Sequence, residues 1–140
     1  MTEVNETTQK MEFNSSISNI SKIEELIDKV CDTHHITEDY YGNILIALTE
    51  AVNNAIVHGN HLDSSKKVSL CYETKNNQVC FIVKDEGHGF DHTNIPDPTL
   101  PQNVNKLNGR GVFLMKSLAD EVVFEENGSK VKLKFCITNN

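Results

Sequence analysis

The chain has 140 residues, a mass of 15.7 kDa, 38% apolar residues and 24% charged residues, the size and composition of one folded domain with a core of its own. Thirteen Lys and Arg against twenty Asp and Glu leave a net charge of −7, which argues against a non-specific nucleic-acid binder and against a polybasic membrane anchor. No apolar run is long enough to span a bilayer, the opening MTEVNETTQK lacks the basic-then-apolar order of a signal peptide, and a cytoplasmic protein is expected.

Residues 1–10 are polar and read as a disordered tail, with a single domain over 11–138. Lys10–Ser15 is expected to form a short strand. Ser21-Lys22-Ile23-Glu24 fits a capping box, and Ile20, Ile23, Ile27 and Val30 then recur at helical spacing to about Asp32. Thr37 is placed to cap a longer helix running to about His58, with Gly59 as its terminator. Lys67–Glu73 and Gln78–Lys84 have strand character, and Asn76-Asn77 suggests a hairpin between them. The stretch 91–108 contains Pro96, Pro98 and Pro101 and is too long and polar for a connecting turn, which points to a lid. A helix resumes after Gly111, and strands Glu121–Glu125 and Lys130–Ile137 follow, joined by Asn127-Gly128. Hairpin-linked strands with segregated helices predict an α+β two-layer sandwich. The four cysteines (Cys31, Cys71, Cys80, Cys136) show no C-x-x-C and read as free thiols.

At 100° per residue the long helix places Tyr41, Ile44, Leu48, Val52 and Ala55 on one core stripe. Glu50, Asn54 and His58, spaced i, i+4, i+8, form a polar stripe along its edge. They read either as surface residues making weak contacts with one another or as a site in which Asn54 holds a divalent cation and Glu50 takes a proton. Asp85-Glu86-Gly87-His88-Gly89-Phe90 follows a strand directly. It is either a tight turn or a place where Asp85 accepts from an exocyclic amine while the glycines let backbone approach a flat ligand. Gly109-Arg110-Gly111 is either a glycine cap or an anion site at a helix N-terminus, with Arg110 adding charge. There is no P-loop, no dinucleotide fingerprint, no zinc spacing and no G-x-S-x-G.

Three segments occur in order: ALTEAVNNAIVHGN at 47–60, VKDEGHGFD at 83–91 and NGRGVFLMKSLADEV at 108–122. Together they resemble the N-box and two glycine boxes of the GHKL (Bergerat-fold, histidine-kinase-like) ATPases. The form E-A-V-x-N-A-x-x-H-G resembles the bacterial anti-sigma factor serine/threonine kinases of the RsbW and SpoIIAB type, over Phe13 to Ile137. The resemblance implies a mixed, mostly antiparallel sheet covered on one face by helices. It also implies ATP and Mg²⁺ as cofactors, with ADP as product. It makes Glu50 the general base, Asn54 the Mg²⁺ ligand, and Asp85 the acceptor for the adenine amino group. Gly87 and Gly89 line the adenine pocket, and Gly109, Arg110 and Gly111 contact the triphosphate. Ser129 stands where relatives often carry a Thr that reaches adenine through water; the roles of His58 and His88 are left open. The partners it implies are a STAS-domain antagonist as protein substrate, a sigma factor, and a second copy of the chain as a homodimer. A non-catalytic module that binds a protein under ATP/ADP control is the alternative.

Overall fold

A computed structural model describes residues 7–75, 77–87 and 107–137. Strand β1 spans Thr7–Asn14 and begins three residues before the expected Lys10, so part of the stretch read as a tail is paired in the sheet. A 3₁₀ turn at Ile17–Ile20 runs straight into helix α1, Ser21–Thr33. The capping box therefore does not form: Ser21 already has helical dihedrals (φ −61°, ψ −24°) and its hydroxyl donates back to Ser18 O at 3.3 Å. Helix α2 covers Glu38–Asn54, with Thr37 extended ahead of it as the N-cap residue. Strands β2 (Lys67–Lys75) and β3 (Gln78–Lys84) follow, then helix α3 (Leu107–Leu118) and strands β4 (Glu121–Glu125) and β5 (Lys130–Cys136). Between the last two, Glu126–Gly128 form a 3₁₀ turn with Glu126 at φ 52° and Gly128 at φ 95°, which closes the hairpin expected at Asn127-Gly128. The expected turn at Asn76 and the lid over 91–108 fall outside the described residues, apart from Leu107 and Asn108 at the start of α3.

The strands form one five-stranded sheet in the order β1-β2-β3-β5-β4, and all four pairings among the described residues are antiparallel, in keeping with the mostly antiparallel sheet expected. Strict alternation sends one face of each central strand inward. Register then builds continuous apolar rows, such as Leu70–Val83–Val131 and Tyr72–Phe81–Leu133. Over this face lie Ile44, Leu48 and Val52 of α2 and Ile23, Ile27 and Val30 of α1, all fully buried in one core. The Tyr41 hydroxyl of α2 donates to Asp28 of α1, which pushes its pKa up to about 12 and ties the two helices at the surface. On the outer face, Lys134–Glu121 (3.1 Å) and Lys132–Glu125 (3.5 Å) are exposed ion pairs across β5 and β4, worth little individually.

The helical stripe makes a direct demand on stability. Leu48→Ala should cost about 2–5 kcal/mol, because the sheet beneath it cannot collapse into the void. Urea unfolding should show a lower midpoint with an unchanged slope.

Candidate functional site

The end of α2 departs from the regular helix that its periodicity predicts. After Asn54 the chain widens into a π turn, Ala55–Gly59, with Asn60 N–H bonding Ala55 O at 2.8 Å and Leu62 N–H bonding Ile56 O at 2.8 Å. His61 and Leu62 then take left-handed dihedrals (φ 53° and 60°) and reverse the chain toward β2. The wider turn takes His58 off the 100° progression. It is half-buried, with burial first and the nearby His61 second lowering its pKa, and it does not line the cavity described below.

Gly59 and Gly87 explain the packing at this point. A Cβ on Gly59 would collide with the Asp85 carboxylate, and one on Gly87 would collide with the Gly59 carbonyl. Only hydrogen at both positions lets the end of the π turn, the Asp85 side chain and the turn after β3 stack on one another. Gly87 N–H donates to Asp85 Oδ1 at 2.8 Å, and Asp85 N–H donates to Ser129 O at 2.9 Å. Asp85 is 6% exposed. Burial raises its pKa above the ordinary 3.8, opposed by the Gly87 hydrogen bond and by the charges of Lys66 and His61.

Asn60, the last residue of the 47–60 segment and given no role by the sequence, is fully buried and joins three segments. Its Nδ2 donates to Ser15 Oγ at 2.7 Å and to Lys67 O at 3.0 Å, and its Oδ1 accepts from Glu86 N–H at 2.8 Å. Ser15 Oγ donates onward to Lys66 O at 2.9 Å. A buried amide with both ends satisfied by distant backbone and side chain fixes where the Asp85–Gly87 turn sits relative to α2. The local signal for this was an asparagine just beyond a glycine; its partners are up to 45 residues away and leave no local trace.

Asn54 and Asp85 face one small cavity of about 10 Å³, whose walls include Ala51, Met115, Phe124 and Ser129. That volume holds about one water. Ser129 is buried, with its hydroxyl donating to Glu126 O at 2.8 Å. Asn54 is 6% exposed, and its Nδ2 has no hydrogen-bond partner among the described residues. Glu50, one turn earlier, is half-buried. Gly111 of α3 lies against both: a Cβ there would sit 3.1 Å from Glu50 Oε1 and 3.2 Å from Asn54 Oδ1.

The structure thus brings together Glu50, Asn54, Asp85, Gly87, Gly111 and Ser129. Gly109 and Arg110 lie in the first turn of α3, which begins at Leu107, so the glycine pair is inside the helix and not ahead of it as expected. The side chain of Arg110 falls outside what the structure describes, as do Gly89 and His88 altogether. No group of three or more His, Cys, Asp or Glu able to hold a metal occurs among the described residues. The same residues contain no helix long and apolar enough to cross a membrane.

Comparison with known proteins follows this geometry. Residues 13–135 match the family described as the histidine kinase-like ATPase domain. The chain belongs to that family. Among curated proteins, it is 32% identical over 96 residues to serine-protein kinase RsbW of Staphylococcus epidermidis, covering 63% of this chain and 60% of that one. It is 26% identical over 132 residues to serine-protein kinase RsbW of Staphylococcus aureus strain MSSA476, covering 89% and 83%. The alignment thus spans about 60% of the length of the first of these relatives. The crystal structure of the RsbU and RsbW domains of Rv1364c from Mycobacterium tuberculosis superposes at a TM-score of 0.61 with 12% identity, covering 94% of this chain and 32% of that one. That likeness establishes the α+β histidine kinase-like ATPase fold.

The Asp85 environment has a measurable consequence. Its folded pKa is raised, so the folded protein holds the proton more tightly than the unfolded chain. The stability this gives is complete below about 3.8 and is lost as the pH rises through the folded value. Asp85→Asn keeps an oxygen for Gly87 N–H and removes the buried charge. It should be more stable than the parent by about 1 kcal/mol at neutral pH. The gain should vanish near pH 3.5, as read by urea unfolding at the two pH values.

Proposed function

We propose that the protein is an ATP-dependent protein serine kinase of the anti-sigma regulatory type. Its substrate in this reading is a serine on a small STAS-domain antagonist, and its second partner is a sigma factor released or held according to that phosphorylation. The observation that carries the reading is that Glu50 and Asn54, one helical turn apart, meet at Gly111 while Asn54 and Asp85 share one cavity. Two relatives carrying the name serine-protein kinase support it.

The residues fit a Mg²⁺-nucleotide. A buried amide with an unpartnered Nδ2 costs about 1–3 kcal/mol unless something accepts from it, and a phosphate oxygen is such an acceptor. The amide oxygen of Asn54 suits a hard cation that takes few protein ligands and completes its shell with phosphate and water. Asn54 would hold Mg²⁺ there, and the ion would supply charge neutralisation at the phosphates. Asp85 offers an acceptor for the exocyclic amine of adenine, and the Gly87 N–H holds that carboxylate at Oδ1. The first turn of α3, with Gly109, Arg110 and Gly111, directs N–H groups at the phosphates. Glu50 accepts the proton of the substrate serine as its Oγ bonds to the γ-phosphorus and ADP leaves. Phosphoryl transfer asks for alignment and charge placement more than covalent chemistry, which one helix flank and two glycine turns can provide.

Incubation of the full chain with labelled Mg·ATP and candidate STAS-domain proteins should place label on a serine of one of them. Glu50→Ala should lose about 10²–10⁴-fold in transfer while keeping Mg·ADP affinity. Asn54→Ala, or chelation of Mg²⁺, should lose both. Full transfer by Glu50→Ala would favour the alternative of a nucleotide-gated binding module.

A further inference from the structure

Glu50 stands in a wall with two sides. Its Oε1 faces Gly111 beside Asn54, and the same residue lines a second groove, between α2 and the junction of the 3₁₀ turn with α1. This groove has a volume of about 380 Å³, and Ile20, Leu45 and Ile46 give it an apolar lining. Pockets that seat ligands begin at roughly 300 Å³. Ile46 is 46% exposed although it belongs to the helix that anchors the core. Glu24, on the solvent side of α1, and Glu50 are the charged residues among those lining the groove, and both are acids.

We propose that this groove seats the serine-bearing segment of the protein substrate, with aliphatic side chains on Ile20, Leu45 and Ile46 and a lysine or arginine facing Glu24. The proposal rests on the kinase reading and deepens it by assigning the substrate's local chemistry. A proton acceptor for serine has to be reached from the nucleotide on one side and from the polypeptide on the other; Glu50 lines this groove while its Oε1 lies beside Asn54 at Gly111. Two carboxylates and a net charge of −7 repel a phosphate-bearing ligand from the groove, so a second nucleotide does not suit it. An apolar segment flanked by positive charge suits it on both counts. Apolar side chains at its floor supply affinity, and Glu24 at its rim supplies selection.

The test uses the full chain with Mg·ADP and two synthetic twelve-residue peptides, each with a central serine between leucines, one flanked by lysines and the other by glutamates. Methyl resonances of Ile20, Leu45 and Ile46 should shift with the lysine peptide and not with the glutamate peptide. Ile46→Asp, at an exposed position, should weaken that binding about tenfold or more while leaving Mg·ADP affinity within twofold. Glu24→Lys should reverse the preference between the peptides. Equal binding of both peptides, shifts confined to other surfaces, or an Ile46→Asp variant that binds as the parent does would overturn the proposal. Methyl shifts that follow protein concentration alone would assign the groove to a second copy of the chain and also overturn it. Failure of the kinase reading looks different: the lysine peptide would seat in the groove and its serine would take no label from Mg·ATP.

Discussion

The contact on which the site depends is the burial of the Asp85 carboxylate between Gly59 and Gly87. No side chain can intervene, because a Cβ at either glycine would overlap a carboxylate or a carbonyl. The contact brings the end of the N-terminal helical layer down onto the C-terminal end of β3. The π turn at the end of α2 delivers Gly59 to Asp85 and Asn60 to its buried partners. The left-handed pair His61 and Leu62 is the strain that closes this route.

Stability and site chemistry pull against each other here. Asp85 carries a pKa raised by burial, and Asn54 carries a buried nitrogen with no partner. Both are unfavourable features that an apolar core would avoid, and both lie on the wall of the same cavity. Their cost is offset by the rows of buried side chains beneath α1 and α2 and by the fully satisfied Asn60 network. Costs concentrated on one cavity wall are what a binding site produces when its polar groups are shaped for a ligand.

Much of this was legible in the residues. Gln78–Lys84 has the bounds its alternation predicts, because period-two burial is written directly in residue order, and Glu121–Glu125 also has its expected bounds. Ile44, Leu48 and Val52 form the expected buried stripe for the same reason. The π turn was not legible: Ala55–His58 continue an ordinary helical pattern, and what widens them is a contact with Asp85, far along the chain. Gly109 and Gly111 read as a cap because glycine usually ends or starts a helix. Gly111 instead lies within α3, where a Cβ would press on Glu50 and Asn54 at 3.1–3.3 Å. The role of Asn60 was not legible because its three partners come from three other segments.

Calorimetric titration of the full chain with Mg·ADP and with Mg·GDP is the most direct measurement of the central claim. An adenine base offers an exocyclic amine to the Asp85 carboxylate, whereas guanine presents a carbonyl at the equivalent ring position and meets it acceptor to acceptor. The account predicts saturable binding of Mg·ADP and at least a tenfold weaker response to Mg·GDP, the size of penalty that an unpaired buried polar group imposes. No heat with either nucleotide, or equal affinity for both, would contradict it.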